Sequence, residues 1–332
     1  MKDKIARNVC RSSTLRRRML LLPVLAMSAC TAYLLVNAHP DNPKLLRYIL
    51  SLRLPTMAVI MIAAAAIGNA TIVFQTIIHN RIVTPCLLGM NSMYTLIHTA
   101  VVCAAGSGSV LAVNSNLAFA VDLVVMSLVA MLVYGWLFKR TGSNVLYVLL
   151  IGTVLSSFFG SIQSTMIRVM DPNAYDALLT TLVADFNNVN VEVIAFSLVL
   201  LVTLAALLRK DLMLLDVIAL GKDQAINLGV DYDRTIRRLL LGVVFCIAIA
   251  TAMVGPVSFL GLIIANLARQ LLKTHRHSCL IPAAVWLGML AMVVGQLVSQ
   301  HVFHYAVPIS TFITIGGGIY FLYLLLMRKG GI

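Results

Sequence analysis

The polar side chains that stand out in this sequence are weak ones set among apolar neighbours. Thr153, Ser157, Ser161 and Ser164 recur at helical spacing inside a long apolar stretch, with Gly152, Ser156, Gly160 and Gln163 beside them. Hydroxyls and small residues in such surroundings serve helix–helix contact or line a polar path. Spacings for covalent chemistry are missing. The seven histidines (His39, His79, His98, His275, His277, His301, His304) form no H-E-x-x-H pair, and no G-x-x-x-x-G-K-[ST] phosphate loop occurs. His275/His277 and His301/His304 fall at the ends of apolar blocks and read as solvated loop residues. The six cysteines (Cys10, Cys30, Cys86, Cys103, Cys246, Cys279) show no C-x-x-C spacing and read as small hydrophobes, neither disulfides nor metal ligands.

The elements that must position these groups are helices in lipid. Of 332 residues, 60% are hydrophobic and 11% charged, and mean hydropathy is +0.95, whereas soluble domains carry about 25% charged residues. Apolar blocks fall at 19–37, 55–77, 86–105, 117–138, 144–167, 191–208, 239–254, 257–268, 280–298 and 308–327. Roughly 20 apolar residues span a bilayer, and the lack of water in lipid forces such blocks to be helical. The expected fold class is all-α, a polytopic membrane protein of about ten transmembrane helices. One transmembrane domain over 19–327 follows a basic segment, 1–18, and precedes a short tail, 328–332. The first block is expected to be retained, although Val36-Asn37-Ala38 looks like a signal-peptidase site.

The net charge of +13 is distributed as membrane topology requires, which excludes a nucleic-acid footprint. With the N-terminus inside and sides alternating, only Lys44, Arg47, Arg53 and Arg168 of the 25 Lys and Arg fall outside. Both termini are then cytoplasmic. From Leu239 to Ala268 the chain is apolar yet basic at both flanks, so it must go out and return, turning at Gly255-Pro256 where proline ends a helix. The return leg, Val257–Ala268, is about 18 Å long at 1.5 Å per residue, too short to span alone. Broken segments of this kind line cavities in transporters and channels. The inside segment 209–238 holds Gly221, Ala225 and Gly229 four apart, which reads either as a smooth docking face or as a turn with glycine caps. No Asp, Glu, Lys or Arg lies near the middle of a block, which argues for an external energy source.

Four stretches together resemble the permease subunits of type II ABC importers, which carry ferric siderophores, haem or vitamin B12. Arg53-Leu54-Pro55 with Gln75, Asn80, Pro85 and Leu88-Gly89 is similar to that family's R-L-P-R … Q … N-P-L … P … L-G pattern. Gly221 … Ala225 … Leu228-Gly229-Val230 is similar to its coupling segment. Gly255-Pro256-Val257-Ser258-Phe259-Leu260-Gly261-Leu262-Ile263 followed by Ala268-Arg269 resembles G-P-I-x-F-x-G-L-x-x-P-H-x-x-R, and Pro308 with Gly316-Gly317 resembles the last helix. Departures are Thr56 for the second arginine, Asn80-Arg81-Ile82 for Asn-Pro-Leu, Ala265-Asn266 for Pro-His, and no tryptophan or Gly-Ser between Thr180 and Asn190.

The resemblance implies a ten-helix subunit that forms half of a pore in the bacterial inner membrane. Its partners would be a second permease subunit (a heterodimer favoured over a homodimer), two ATP-binding subunits, and a periplasmic or lipoprotein substrate-binding protein. The chain itself would be no enzyme and bind no cofactor or metal, ATP being used by the partner ATPase. The likeness is greatest to the branch of paired permeases, often for catecholate-type siderophores. Gly221, Ala225, Leu228 and Gly229 would couple to the ATPase. Arg53 would receive the binding protein; Lys44 and Arg47, three residues apart on an expected short helix, either share that role or face lipid headgroups. Ser157, Ser161, Ser164, Gly316 and Gly317 would line or pack the path, beside the broken helix at Gly255 and Pro256. A secondary carrier or channel remains the alternative, and it would need a buried ionisable group or an internal repeat. A membrane-embedded enzyme is the remote one.

Overall fold

A computed structural model describes residues 13–36, 43–105, 115–140, 145–187, 189–304 and 306–328. The start of the basic segment, the Asn37-Ala38 pair and the tail beyond 328 lie outside them. Among the described residues the regular elements are all helical: α1 (Ser13–Leu35), α2 (Pro43–Ile78), α3 (Met90–Ala105), α4 (Ser115–Arg140), α5 (Val145–Val169), α6 (Pro172–Leu182), α7 (Val191–Met213), α8 (Leu215–Ile218), α9 (Lys222–Asn227), α10 (Tyr232–Val254), α11 (Leu260–Leu272), α12 (His277–His301) and α13 (Ile309–Arg328), with a 3-10 turn at Pro85–Leu88. Seven are long and apolar enough to cross a membrane. The remaining three expected blocks coincide with α3, α11 and α13.

Helix α2 is longer than expected. The short outer helix imagined around Lys44 and Arg47 is the first stretch of one continuous 36-residue helix, with Pro55 inside it. At 1.5 Å per residue it measures about 54 Å, well beyond a hydrocarbon core of roughly 30 Å. With α10 it forms the buried centre: 78% and 72% of their apolar windows lie inside the protein, against 11% for α5 and 17% for α7. Small residues let the centre close. The Gly68 Cα approaches the Ala284 backbone so nearly that a Cβ would sit 3.3 Å from it, and a Cβ on Gly288 would meet the Ala64 Cβ at 3.2 Å. Without a hydrophobic force between helices in lipid, close contact of this kind is what holds them.

The chain breaks at Gly255, as far as α10 is concerned, and resumes later than the sequence suggests. Gly255 has φ +89°, and Phe259, also left-handed at φ 61°, caps α11. The return helix therefore begins at Leu260 rather than Val257, and its 13 residues give about 20 Å. Its Leu260, Gly261, Leu262, Ile264, Ala265, Asn266, Ala268 and Leu272 are buried, so protein rather than lipid surrounds the short helix.

Side-chain bonds define the two ends of the molecule. Arg18 Nη1 donates to the Leu271 carbonyl at 2.7 Å, and Asn266 Nδ2 donates to the Arg81 carbonyl at 3.0 Å. The start of α1, the turn after α2 and the end of α11 thus share one basic end. At the other end Arg53 reaches the last turn of α1 and Ser299 donates to the Val307 carbonyl.

Candidate functional site

The segment after α7 builds a short exposed knob at the basic end. Gly221 is the N-cap of α9 with φ +104°, and Gly229 follows it with φ +81°. The Gly229 N–H donates to the Ile226 carbonyl (2.9 Å) and the Val230 N–H to the Ala225 carbonyl (3.0 Å), the paired bonds of a Schellman C-terminus. Both glycines are thus demanded by backbone conformation, since no side chain or backbone atom approaches where a Cβ would be. Ala225 is fully buried in the core. The expected common face of Gly221, Ala225 and Gly229 is therefore not formed: two residues flank a six-residue helix and the third points inward. What the knob presents outward is Leu220, Ile226 and Leu228, each at least half exposed.

The knob is tied to the membrane helices by a side chain that the sequence reading treated as solvated. His277, at the start of α12, is buried. Asp216 Oδ1 of α8 accepts from its backbone N–H (2.9 Å) and faces its Nδ1 at 2.5 Å, while its Nε2 lies 2.7 Å from the Thr76 hydroxyl of α2. One imidazole thus joins the knob, α12 and α2. Beside it Gln75 accepts from Arg269 of α11 and donates through Nε2 to the Arg81 carbonyl at 2.7 Å. The signal for His277 lay in the pairing of an acid in one segment with a histidine 61 positions on, which linear spacing does not reveal.

On α5 the two faces part cleanly. Gly152 and Ser156 pack on the turn before α3, where Gly89 (φ +87°) sits so close that a Cβ on it would lie 3.2 Å from the Gly152 carbonyl oxygen. Ser92 and Ser156 hydroxyls lie 3.3 Å apart, and Thr95 donates to Gln163 at 2.8 Å. Thr153, Ser157, Ser161 and Ser164 face outward. Of these, Thr153 donates to the Leu150 carbonyl, Ser157 to Thr153 and Ser161 to Ser157, so the hydroxyl protons are used within the helix and oxygen lone pairs remain on show. On α13 only Gly317 is packed: a Cβ there would collide with the Phe259 Cβ, whereas Gly316 and Gly318 border open space.

At the far end Arg53 is buried, 7% exposed. Its Nη1 donates to the carbonyls of Tyr33 (2.7 Å), Leu34 (3.2 Å) and Val36 (2.6 Å), and the guanidinium lies 5.4 Å from the Tyr33 ring centroid. It satisfies the orphan acceptors that end α1. Lys44 and Arg47 lie exposed in the first turns of α2. Arg53, Leu52 and Thr56 help line a cavity of about 510 Å³ whose other wall is the Val183–Asn187 segment. That segment is seated by the Asp185 N–H donating to the Val254 carbonyl (2.9 Å), and it crosses Gly255 so closely that a Cβ would lie 3.1 Å from the Ala184 Cα.

Among the described residues a buried ionisable pair lies within the apolar part of the spans. His98 of α3 and Asp122 of α4 meet at 2.7 Å, both buried, with Tyr94 stacked on the imidazole. Asp122 sits in the outer third of its span rather than the middle, which is why the sequence argument passed over it. Asp122 leaves standing the expectation that no Asp, Glu, Lys or Arg lies near the middle of a block, and its contact with His98 adds a buried ionisable pair that those residue types alone did not reveal. Among the described residues no three His, Cys, Asp or Glu side chains come together as metal ligands.

Buried central helices, a half-length helix shielded by protein, an exposed hydroxyl face and a knob hung from two spans define a multi-pass membrane transport permease. The chain belongs to the FecCD transport family, whose profile matches residues 19–327. The petrobactin import system permease protein YclO of Bacillus subtilis (strain 168) is 38% identical over 282 residues, 85% of this chain and 90% of that one. The petrobactin import system permease protein FatC of Bacillus anthracis is 30% identical over 313 residues, 93% and 88% of the two chains. A solved chain of a metal-chelate type ABC transporter in an inward-facing conformation superposes with a TM-score of 0.81 at 22% identity, over 95% of this chain and 99% of that one, a likeness of fold. The resemblance to ABC-importer permeases drawn from the sequence holds, and with it the reading that the chain is no enzyme.

Proposed function

We propose that the chain is one permease half of an ATP-driven importer that passes a ferric siderophore, the catecholate type favoured, across the bacterial inner membrane with both termini in the cytoplasm. A second permease, two ATPase subunits and an external binding protein complete the machine. Two relatives named for petrobactin import, similar over nearly their whole length, support the cargo class. The observation that carries the coupling role is the knob: apolar Leu220, Ile226 and Leu228 stand exposed on a segment fastened to α2 and α12 through Asp216, His277 and Thr76. A pushed knob moves those spans. Ser157, Ser161 and Ser164 line the path against the second permease, and on α13 the open Gly316 borders it while Gly317 packs the helix against Phe259. The broken helix at Gly255-Pro256 closes the path from the side.

Docking of the binding protein falls to Lys44 and Arg47, raised on the outer stub of α2. Arg53 supports that surface from within by holding α1 to α2. Because a His98–Asp122 pair occupies the spans, the ATP-driven reading rests on the knob and the family rather than on missing charge.

Uptake of radiolabelled iron supplied as the petrobactin chelate, in cells that lack other iron permeases, tests the whole. Ile226→Glu with Leu228→Glu, on the exposed apolar face of the knob, should insert and accumulate normally yet abolish uptake while ATP hydrolysis continues. Uptake at the parental rate would sink the coupling role. Lys44→Glu with Arg47→Glu should weaken binding-protein capture, most at low salt.

A further inference from the structure

The basic end holds a second cavity, of about 420 Å³, outside the path described above. Arg81, Arg269 and Lys273 line it with His79, His275 and His277, and among the described residues that line it there is no carboxylate. The nearest acid in the bonding scheme, Asp216, is committed to His277. Like charges are normally spread apart, but here neutral amides gather them. Gln75 accepts from Arg269 and donates to the carbonyl of Arg81, and Asn266 donates to that same carbonyl. Arg269 is half-buried, where a guanidinium loses hydration and gains only an amide oxygen in return. Lys273 adds a further sign. It ends α11 in the left-handed region at φ 47°, a conformation that glycine or asparagine adopts far more readily. That left-handed cap sets the Lys273 side chain at the end of α11, where it lines the cavity.

From the assembled positive charge without a counter-charge, at the rim of the apolar bundle, we propose that this cavity binds a phosphate-class anion. The volume suits a compact polar group. Guanidinium forks and an ammonium are the usual receivers of phosphate oxygens. Basic pockets between spans on the inner face take anionic headgroups in the same way, so the phosphate can come from a lipid or from solution. Bound there, the anion neutralises the ends of α2, α11 and α12 where they meet His277, and so stiffens the root of the knob. The inference concerns binding at this end and does not depend on the cargo.

The test uses the full-length chain purified in neutral detergent, wild type beside an Arg81→Gln, Lys273→Asn double variant. Both positions are exposed on the rim, and asparagine tolerates the left-handed backbone at 273. Binding of dioleoylphosphatidylglycerol, dioleoylphosphatidylcholine and inorganic phosphate is read by native mass spectrometry and by the thermal midpoint. Wild type should retain phosphatidylglycerol over phosphatidylcholine, with affinity roughly thirty-fold weaker in the double variant, as about 1 kcal/mol per surface cation implies. Inorganic phosphate that binds alone with the same sensitivity to the variant, without a lipid preference, assigns the site to a soluble anion and equally supports the proposal. Equal binding by both proteins, or no preference for either anion in wild type, overturns it. So does a variant that loses only co-purifying ATPase subunits, since the cavity would then serve a protein. Should the double variant fail to accumulate, Lys273→Asn alone is read the same way, with about a five-fold loss expected.

Discussion

Arg53 carries a general lesson about reading charge from a membrane sequence. Placed outside by topology, it looks free to meet an acidic partner, yet two carbonyls of α1 and that of Val36 just beyond it already use its Nη1. Hydrogen bonds to a charged group contribute about 1.5–3 kcal/mol, so Arg53→Ala should destabilise the chain itself and reduce accumulation in the membrane. Lysine, a single point of donation, should rescue only in part. A thermal midpoint of Arg53→Ala equal to wild type, with binding-protein affinity lost, would return Arg53 to the docking surface. Residue chemistry also governs His98 and Asp122. Removing one partner of a buried pair leaves an uncompensated charge, costing about 3–5 kcal/mol, whereas two apolar replacements of similar volume come near to neutral. Asp122→Leu alone should therefore be more harmful than Asp122→Leu with His98→Leu, measured as detergent-solubilised stability. Additive losses would show that the pair is not a coupled unit.

Among the elements, α11 depends most on its neighbours. Gly261 lies against Thr71 of α2 and Phe259 against Gly317 of α13, each too close for an added Cβ. Gly317→Ala should cost about 1–3 kcal/mol through overpacking and lower the thermal midpoint, while Gly316→Ala, facing open space, should not; equal effects would show that the run acts as a path lining instead of a contact. The Gly255-Pro256 break was legible because proline and glycine punctuate any helix, and because basic flanks fixed both ends on one side. The onset of α11 at Leu260 was not, since the left-handed Phe259 is imposed by packing rather than by its own preference. The face of Gly221, Ala225 and Gly229 failed for a related reason: spacing by four implies a common face only in a helix long enough to contain all three residues. The Schellman bonds at Gly229 were already the other reading that the glycines allowed.

At the scale of the molecule, the spans were readable from hydropathy and the shared basic end from charge, because lipid imposes both rules on every segment alike. Which helices are central and which peripheral was hidden, since α7 is the most apolar of the seven spans and yet buries only 17% of its window. The order of burial has a consequence for biogenesis. Helix α11, about 20 Å long, finds Thr71 in a segment made long before it and Gly317 in one made after it. When α11 leaves the ribosome it is a helix too short for lipid, and the neighbour on its far side has not yet reached the membrane. Its final seating must wait for the last span. Nascent chains halted after His304 should be cleared by membrane proteases faster in pulse–chase than chains halted after Arg328.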